Sequence, residues 1–543
     1  MKRFKLFLAM AALACAIGLT VKYGSTYRPV VEPVREIEEI WALEDAREES
    51  EEPLVTRLFC NGIPMAYDAE NNVFYGSLGL ENGAQWPEIK LTASEEAAKG
   101  LSLCFADDYG FDDCDAAIRE GYSYQIFAYT DTAYSYAEVV FTGLPLVNVT
   151  ADQTIEREDV PAQIEIALAA EGLQTNGRIH KRGGASILND KVGYKLEFTR
   201  TTDGKKKIYR EIPGMGTDSQ VILLPMNALD TTMMRDRLSW ALYARLTRRD
   251  EPFSARKTQY CELFLNGEYR GVYLMLEPFS VRQEVAKAGE ERLTTDSVYR
   301  TAVISLSHGR PCMEDPYSAA TGFELYYPMD GEPDFSPLAD YFALLGETDD
   351  AAFMRRAAQI IDLDSALRYD VVLQLFGLTD NVINNMYTWA QNSRGHTRYR
   401  FDFWDLDVSW GLKRDEIGEM HENWVFFPLV DRLLRADEEG GVRQRYGEIY
   451  REVREKAFDT ETVEALVGQY AHELNDSGAM ARNADRWETE NYAADGYELV
   501  AFAAERIALL DEPVRAMSAG EEIDLRFLEK TNYDDKGTPL SEE

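Results

Sequence analysis

The sequence predicts an α+β chain, a small all-β domain followed by a larger domain whose strands come first and whose helices come last. Three observations predict it. Between residues 54 and 150, short alternating segments such as Asn72-Val73-Phe74-Tyr75 and Ile89-Lys90-Leu91-Thr92 recur between Gly, Asn and Asp, the spacing of a small β-sandwich. Asn266-Gly267 divides two apolar runs, and this dipeptide closes hairpins because both residues tolerate positive φ. Beyond residue 363 the apolar period becomes helical, over 363–378, 422–435, 442–458 and 496–510. A chain of 543 residues also exceeds what one hydrophobic core organises.

Taken in order, the chain begins with Lys2, Arg3 and Lys5 before an apolar run over 6–21. Residues 1–24 therefore read as a signal peptide or signal-anchor. Ala14-Cys15-Ala16 offers small residues for cleavage, and Cys15 is a weak lipidation candidate. The expected location is exported or membrane-anchored, with anchoring through this segment. Residues 25–53 hold ten acidic side chains and two arginines between Glu32 and Glu52, a solvated spacer or a charged helix, read here as an acidic linker. The β-rich accessory domain occupies 54–150, the mixed domain 151–519, and an acidic tail 520–543.

Charge excludes one class of partner. With 57 basic and 95 acidic side chains the formal net charge is −38, so the mean field repels nucleic acid. Basic protein substrates are favoured by the same field. Six cysteines without a C-x-x-C and five histidines without helical pairing argue against zinc. Cys104 and Cys114 are close enough in sequence for a disulfide in an exported protein, whereas Cys261 lies in an apolar strand pattern.

The mixed domain begins with strands over 164–198, turning at Arg182-Gly183-Gly184-Ala185-Ser186. A short buried strand, Val221-Ile222-Leu223-Leu224, follows. Asp230 then suits the N-cap of a helix over 231–246. Chemistry concentrates in 373–411. A helix ending near Leu378 delivers Asp380-Asn381-Val382-Ile383-Asn384-Asn385. A hairpin follows, and it runs into Trp404-Asp405-Leu406-Asp407. Phosphoryl transfer needs such groups in this order: a carboxylate for the attacking hydroxyl, an amide oxygen for a metal, and a second carboxylate for Mg²⁺ bridging the phosphates. A phosphate-contacting amine should come from an earlier strand, where Lys191 and Lys195 both fit. Glu277, ending the Asn266-Gly267 hairpin, stands where a kinase-like fold places its adenine-contacting hinge.

These stretches, with Lys191-Val192-Gly193-Tyr194-Lys195, Asp230, Arg235 and Glu262 to Tyr273, resemble the CotH kinase family of spore-coat-H-like atypical kinases. The resemblance runs in family order over about 155–510. It implies a divergent protein-kinase-like two-lobed domain that uses ATP and Mg²⁺ (or Mn²⁺) to phosphorylate Ser/Thr-rich proteins. Asp380 would be the catalytic carboxylate, Asn385 and Asp405 the metal ligands with Asp407 a second acidic candidate, and Lys191 or Lys195 the phosphate-contacting amine, with Arg182 and Glu277 as further candidate nucleotide contacts. The glycine turn departs from the family's pattern at Gly184-Ala185-Ser186. The rival reading is a catalytically silent envelope or spore-surface binding protein, because ATP is scarce outside a cell.

Overall fold

The computed structural model describes residues 29–521, apart from 85–88, 96, 98, 107–112, 184, 227–229, 249–253, 281–295, 302–321, 329–331, 333, 394, 413–423 and 426. The N-terminal segment 1–24, Cys15, Cys312 and most of the tail lie outside the described residues. In the first module, alternating burial builds a sheet in the order Val31–Glu32, Ser102–Phe105, Ser123–Tyr129, Ala133–Thr142, Val73–Ser77, Ala66–Asp68, with Glu48–Glu49 also on Ala133–Thr142. A second sheet of Ile63–Pro64, Leu58–Cys60 and Leu91–Ala93 shares its core through Leu58, Leu91, Leu103, Ile126 and Val139.

Two expectations are corrected here. The acidic linker is folded from residue 29 onward: Val31–Glu32 pairs with Leu103 and Cys104, and the Ile37–Asp45 helix buries Ile40 against Cys104 and Phe127. Its acidic residues cover the outer side, and one of them, Glu44, accepts the Tyr136 hydroxyl at 2.8 Å. The charge run thus hides an apolar contact. The Cys104–Cys114 pairing also fails. Successive strand side chains point to opposite faces, so Leu103 and Phe105 enter the core that holds Cys114 while Cys104 faces Ile40. Cys114 instead shares its core with Cys60.

The expected boundary at residue 150 shifts as well. Leu146–Thr150 is the first strand of a closed seven-stranded barrel, followed around it by Val160–Leu168, Glu171–Arg182, Gly193–Thr199, Gln220–Leu224, Glu268–Leu276 and Thr258–Leu265. Thr258–Leu265 returns parallel to Leu146–Thr150 and closes the ring. Closure removes the exposed edges an open sheet would present. Inward side chains such as Ile164, Tyr194, Leu196, Val221 and Leu223 fill the barrel. Phe264 and Tyr269 outside it meet Ala66, Val73 and Tyr75 of the first module.

Across the barrel, Ile222, Leu224, Leu274 and Leu276 face outward into the largest core, which the C-terminal helices build. The expected helix at 231–246 forms only over Arg235–Ala244. Met233 takes φ +58, and Asp230 caps a turn instead, accepting the N–H groups of Thr232 and Arg235, each at 3.2 Å. The helix expected over 422–435 starts at Pro428, a residue suited to a first turn. The last helix extends further than its pattern, Tyr497–Ser518. Strands Phe323–Tyr327, Ser297–Thr301, Met386–Ser393 and His396–Phe403 form a four-stranded sheet beside these helices. The chain is a mixed α and β structure with its strand-rich part first, consistent with α+β.

Inside the helical core, Asp370 is buried, accepting from the Tyr446 hydroxyl at 2.8 Å and from Gln374 Nε2 at 3.3 Å. Burial pushes its carboxyl up to about 7, against the lowering by those two bonds, and Asp431 adds to the rise. The native state therefore binds a proton that the unfolded chain releases nearer pH 4. This contribution is fully present at low pH and is lost as pH rises towards 7. Asp370→Asn removes that slope. Urea titrations of the variant against the parent should show their stability difference moving by roughly 1–3 kcal/mol in the variant's favour between pH 5 and pH 8.

Candidate active site

The Leu363–Phe376 helix is capped at its start by Asp362, which accepts Ser365 N–H at 3.2 Å. It ends where Gly377 adopts φ +66 and Leu378 N–H returns to Leu373 O at 3.0 Å, a left-handed cap. A Cβ at residue 377 would meet Phe502 Cζ at 2.7 Å, so both backbone and space require glycine. One further helical turn, Asp380–Ile383, is tied back when the Tyr369 hydroxyl donates to Asn381 O at 2.7 Å. Asn385 then takes φ +56 with its N–H on Thr301 O at 3.1 Å, and the chain enters the Met386–Ser393 strand.

This path brings three of the expected residues together. Asn385 Nδ2 donates to Asp380 Oδ2 at 2.9 Å and lies 3.4 Å from Asp405 Oδ2. Asn384 Nδ2 adds a bond of 3.2 Å to Asp380 Oδ2. Asp380 and Asn385 are buried, Asp405 is half-buried, and Asp407 is exposed beside it. Among the described residues, no group of three or more His, Cys, Asp or Glu side chains forms a metal cluster. The donor set here is instead two carboxylates with an amide between them. With the amide oxygen turned inward it is a hard oxygen set, which suits Mg²⁺ or Mn²⁺ that keeps water and phosphate in its shell.

A fourth carboxylate adjoins the site. Asp236 is buried in the Arg235–Ala244 helix and accepts Leu406 N–H at 3.1 Å. Burial, then Asp407 and Asp405, hold its carboxyl well above the usual range. Sequence reading passes over Asp236 and gives Asn381 no role. No local signal marks Asp236, because its partner Leu406 lies 170 residues along the chain.

The two candidate lysines separate cleanly. Lys191 is buried and donates to Val272 O at 2.7 Å, Asn483 Oδ1 at 2.8 Å and Met226 O at 3.4 Å. Burial brings its amine down to about 7. The Lys191 amine is thus engaged by three acceptors within the fold. Lys195 has the opposite setting. Tyr194 and Leu196 fill the barrel, so Lys195 points outward between His180 and Ile222 on the neighbouring strands. Burial and then Lys207 lower its amine, with Arg182 among its neighbours. Arg182 itself lies 5.6 Å from the Trp404 ring centre, one residue before Asp405. Glu277 extends the barrel ladder by one step, its carboxylate accepting Lys257 N–H at 3.1 Å and its own N–H donating to Lys257 O at 2.9 Å; those contacts are at the barrel rim.

The sequence model of one family, described as CotH kinase protein, matches residues 179–510. The chain belongs to the CotH kinase family. A comparison with curated proteins gave no match. The CotH segment contains Arg182, Lys195, Asp236, Asp380, Asn385, Asp405 and Asp407. It opens inside the Glu171–Arg182 strand, so the first two strands of the barrel precede the match.

Proposed function

We propose that this CotH-family chain is a protein kinase with a divergent kinase-like two-lobed arrangement, the barrel serving as the nucleotide-facing part. It transfers the γ-phosphoryl of ATP to Ser or Thr hydroxyls of basic proteins, itself included, at the envelope or spore surface. The observation that carries this reading is the Asn385 amide held between the Asp380 and Asp405 carboxylates. Asp380 orients the attacking hydroxyl and accepts its proton. Asn385 and Asp405 would hold Mg²⁺, with Asp407 as a further acidic side chain available to it, and the metal would supply charge stabilisation for phosphoryl transfer. Lys195 and Arg182 face the phosphates from the barrel wall, and Trp404 fixes the Arg182 guanidinium beside the acidic groups. Among the described residues, no helix is long and apolar enough to cross a membrane.

The lysine assignment gives a direct test. Lys195→Ala should weaken Mg·ATP binding roughly tenfold, with little change in melting temperature. Lys191→Ala should lower the melting temperature, because the backbone oxygens of Val272 and Met226 lose their donor, and its folded fraction should bind nucleotide nearly as the parent does. Calorimetric ATP titrations with Mg²⁺ and with chelator read both. Nucleotide binding unaffected by Lys195→Ala, or the same without Mg²⁺, counts against the assignment.

A further inference from the structure

Asp405 holds an unusual backbone. Its φ is +57, a left-handed conformation that disfavours side chains other than glycine and recurs where function over-determines the chain. Both peptide groups that flank it are pinned. On the N-terminal side Trp404 O accepts Asn381 Nδ2 at 2.7 Å; on the C-terminal side Leu406 N–H donates to Asp236 Oδ1 at 3.1 Å. Rotation about either backbone bond of Asp405 breaks one of these.

The Asp236 side of the clamp is rigid. The Arg235–Ala244 helix engages the following loop twice more: Arg235 Nε donates to Ser409 O at 3.1 Å, and Ser239 Oγ accepts Trp410 Nε1 at 2.8 Å. Residues 235 and 239 are one turn apart, so these contacts leave one face of the helix. Arg235 is itself fixed by Asp230 and Glu498. Within the loop, Ser409 Oγ closes on Leu406 O at 2.6 Å. Trp410 N–H donates to Phe376 O at 2.8 Å. The carboxylate at residue 405 therefore takes its place from two helices that bear none of the expected metal side chains.

We infer that Asp236 is a positioning residue, whose hydrogen bond to Leu406 N–H sets the direction of the Asp405 carboxylate towards Asn385. This rests on the kinase reading for its metal. Its structural content is the bond itself, made by an acceptor oxygen and not by net charge. Asp236→Asn keeps an acceptor at that point; Asp236→Ala removes it. Partners that orient a metal-binding carboxylate change metal affinity or activity by about 10–100-fold when removed.

The experiment uses the full chain and three proteins: parent, Asp236→Asn and Asp236→Ala. Mn²⁺ binding is followed by electron paramagnetic resonance without nucleotide, and hydrogen exchange is followed at the peptide containing Leu406. Asp236→Ala is expected to bind Mn²⁺ at least tenfold more weakly and to exchange faster at Leu406. Asp236→Asn should stay within about threefold of the parent in both. Equal Mn²⁺ affinity in parent and Asp236→Ala, or an Asp236→Asn protein as weak as Asp236→Ala, overturns the inference. A parent chain that binds no Mn²⁺ and transfers no phosphate counts against the kinase reading alone. Exchange at Leu406 then decides Asp236: no acceleration in Asp236→Ala rejects it. Melting curves identify any variant that fails to fold, and Ser239→Ala, which loosens the same loop at Trp410, reports what general loosening does to Mn²⁺ affinity.

Discussion

Asp380→Asn is expected to reduce phosphate transfer by about 10²–10⁴-fold while leaving Mg·ATP affinity within a few-fold of the parent. The substitution keeps size and hydrogen-bonding capacity but removes the oxygen pair that can take a proton from the attacking hydroxyl. Its neighbours help separate chemistry from folding. Asp380 Oδ2 accepts from both Asn384 and Asn385, and an Asn oriented with its oxygen inward preserves those two bonds. Asp405→Asn should behave differently, weakening metal binding itself, so that raising Mg²⁺ or Mn²⁺ partly restores transfer. Single-turnover rates at saturating nucleotide, across a metal series, distinguish the two. Equal rates in parent and Asp380→Asn sink the role given to Asp380.

The largest stability effect is expected at Arg482. Glu262 is fully buried on the barrel, and its carboxylate accepts Arg482 Nε at 2.9 Å, Arg482 Nη2 at 2.8 Å and the Tyr269 hydroxyl at 2.6 Å. Arg482 Nη2 also reaches Ser477 O at 2.9 Å, so the pair ties the Ala479–Trp487 helix to the barrel. Burial alone would raise the Glu262 carboxyl, but the charge and bonds of Arg482 outweigh it and the net shift is downward. The pair's contribution is therefore full above the unfolded carboxyl range and is lost as pH falls through the lower folded value. Arg482→Met leaves a buried carboxylate without its counter-charge and should destabilise by about 3–5 kcal/mol at pH 7. In the variant the sign of the pH dependence reverses, because burial now raises the same carboxyl. Adding Glu262→Gln should recover part of the loss. Urea unfolding of the parent and both variants below pH 4, at pH 5 and at pH 8 measures these effects.

How far these features were legible depends on whether the relevant contacts are local. The Asn266-Gly267 hairpin and the helix ending at Gly377 are written in neighbouring residues, and so is the order Asp380, Asn385, Asp405. Barrel closure is not, since it depends on Leu146–Thr150 meeting Thr258–Leu265 more than a hundred residues away. The Ile37–Asp45 helix was obscured by its charge, although Ile40, with Leu43 beside it, packs against Cys104 and Phe127. Lys191 and Lys195 stand four apart and look alike in sequence. Lys191 precedes the Gly193–Thr199 strand, and its contacts with Met226, Val272 and Asn483, all distant in sequence, are what set the two amines apart. Asp236 was illegible for the same reason as the barrel: its partner, Leu406, is 170 residues along the chain.

The central claim is tested most directly by covalent label transfer. The full chain is incubated with γ-labelled ATP and Mg²⁺ in the presence of a basic Ser-rich protein, and labelled residues are located by mass spectrometry. Label is expected on Ser or Thr of the chain or of the added protein, abolished by chelator and strongly reduced by Asp405→Asn. An unlabelled product, with no nucleotide retained at millimolar ATP and Mg²⁺, contradicts the claim and leaves a CotH-family protein that binds without catalysis.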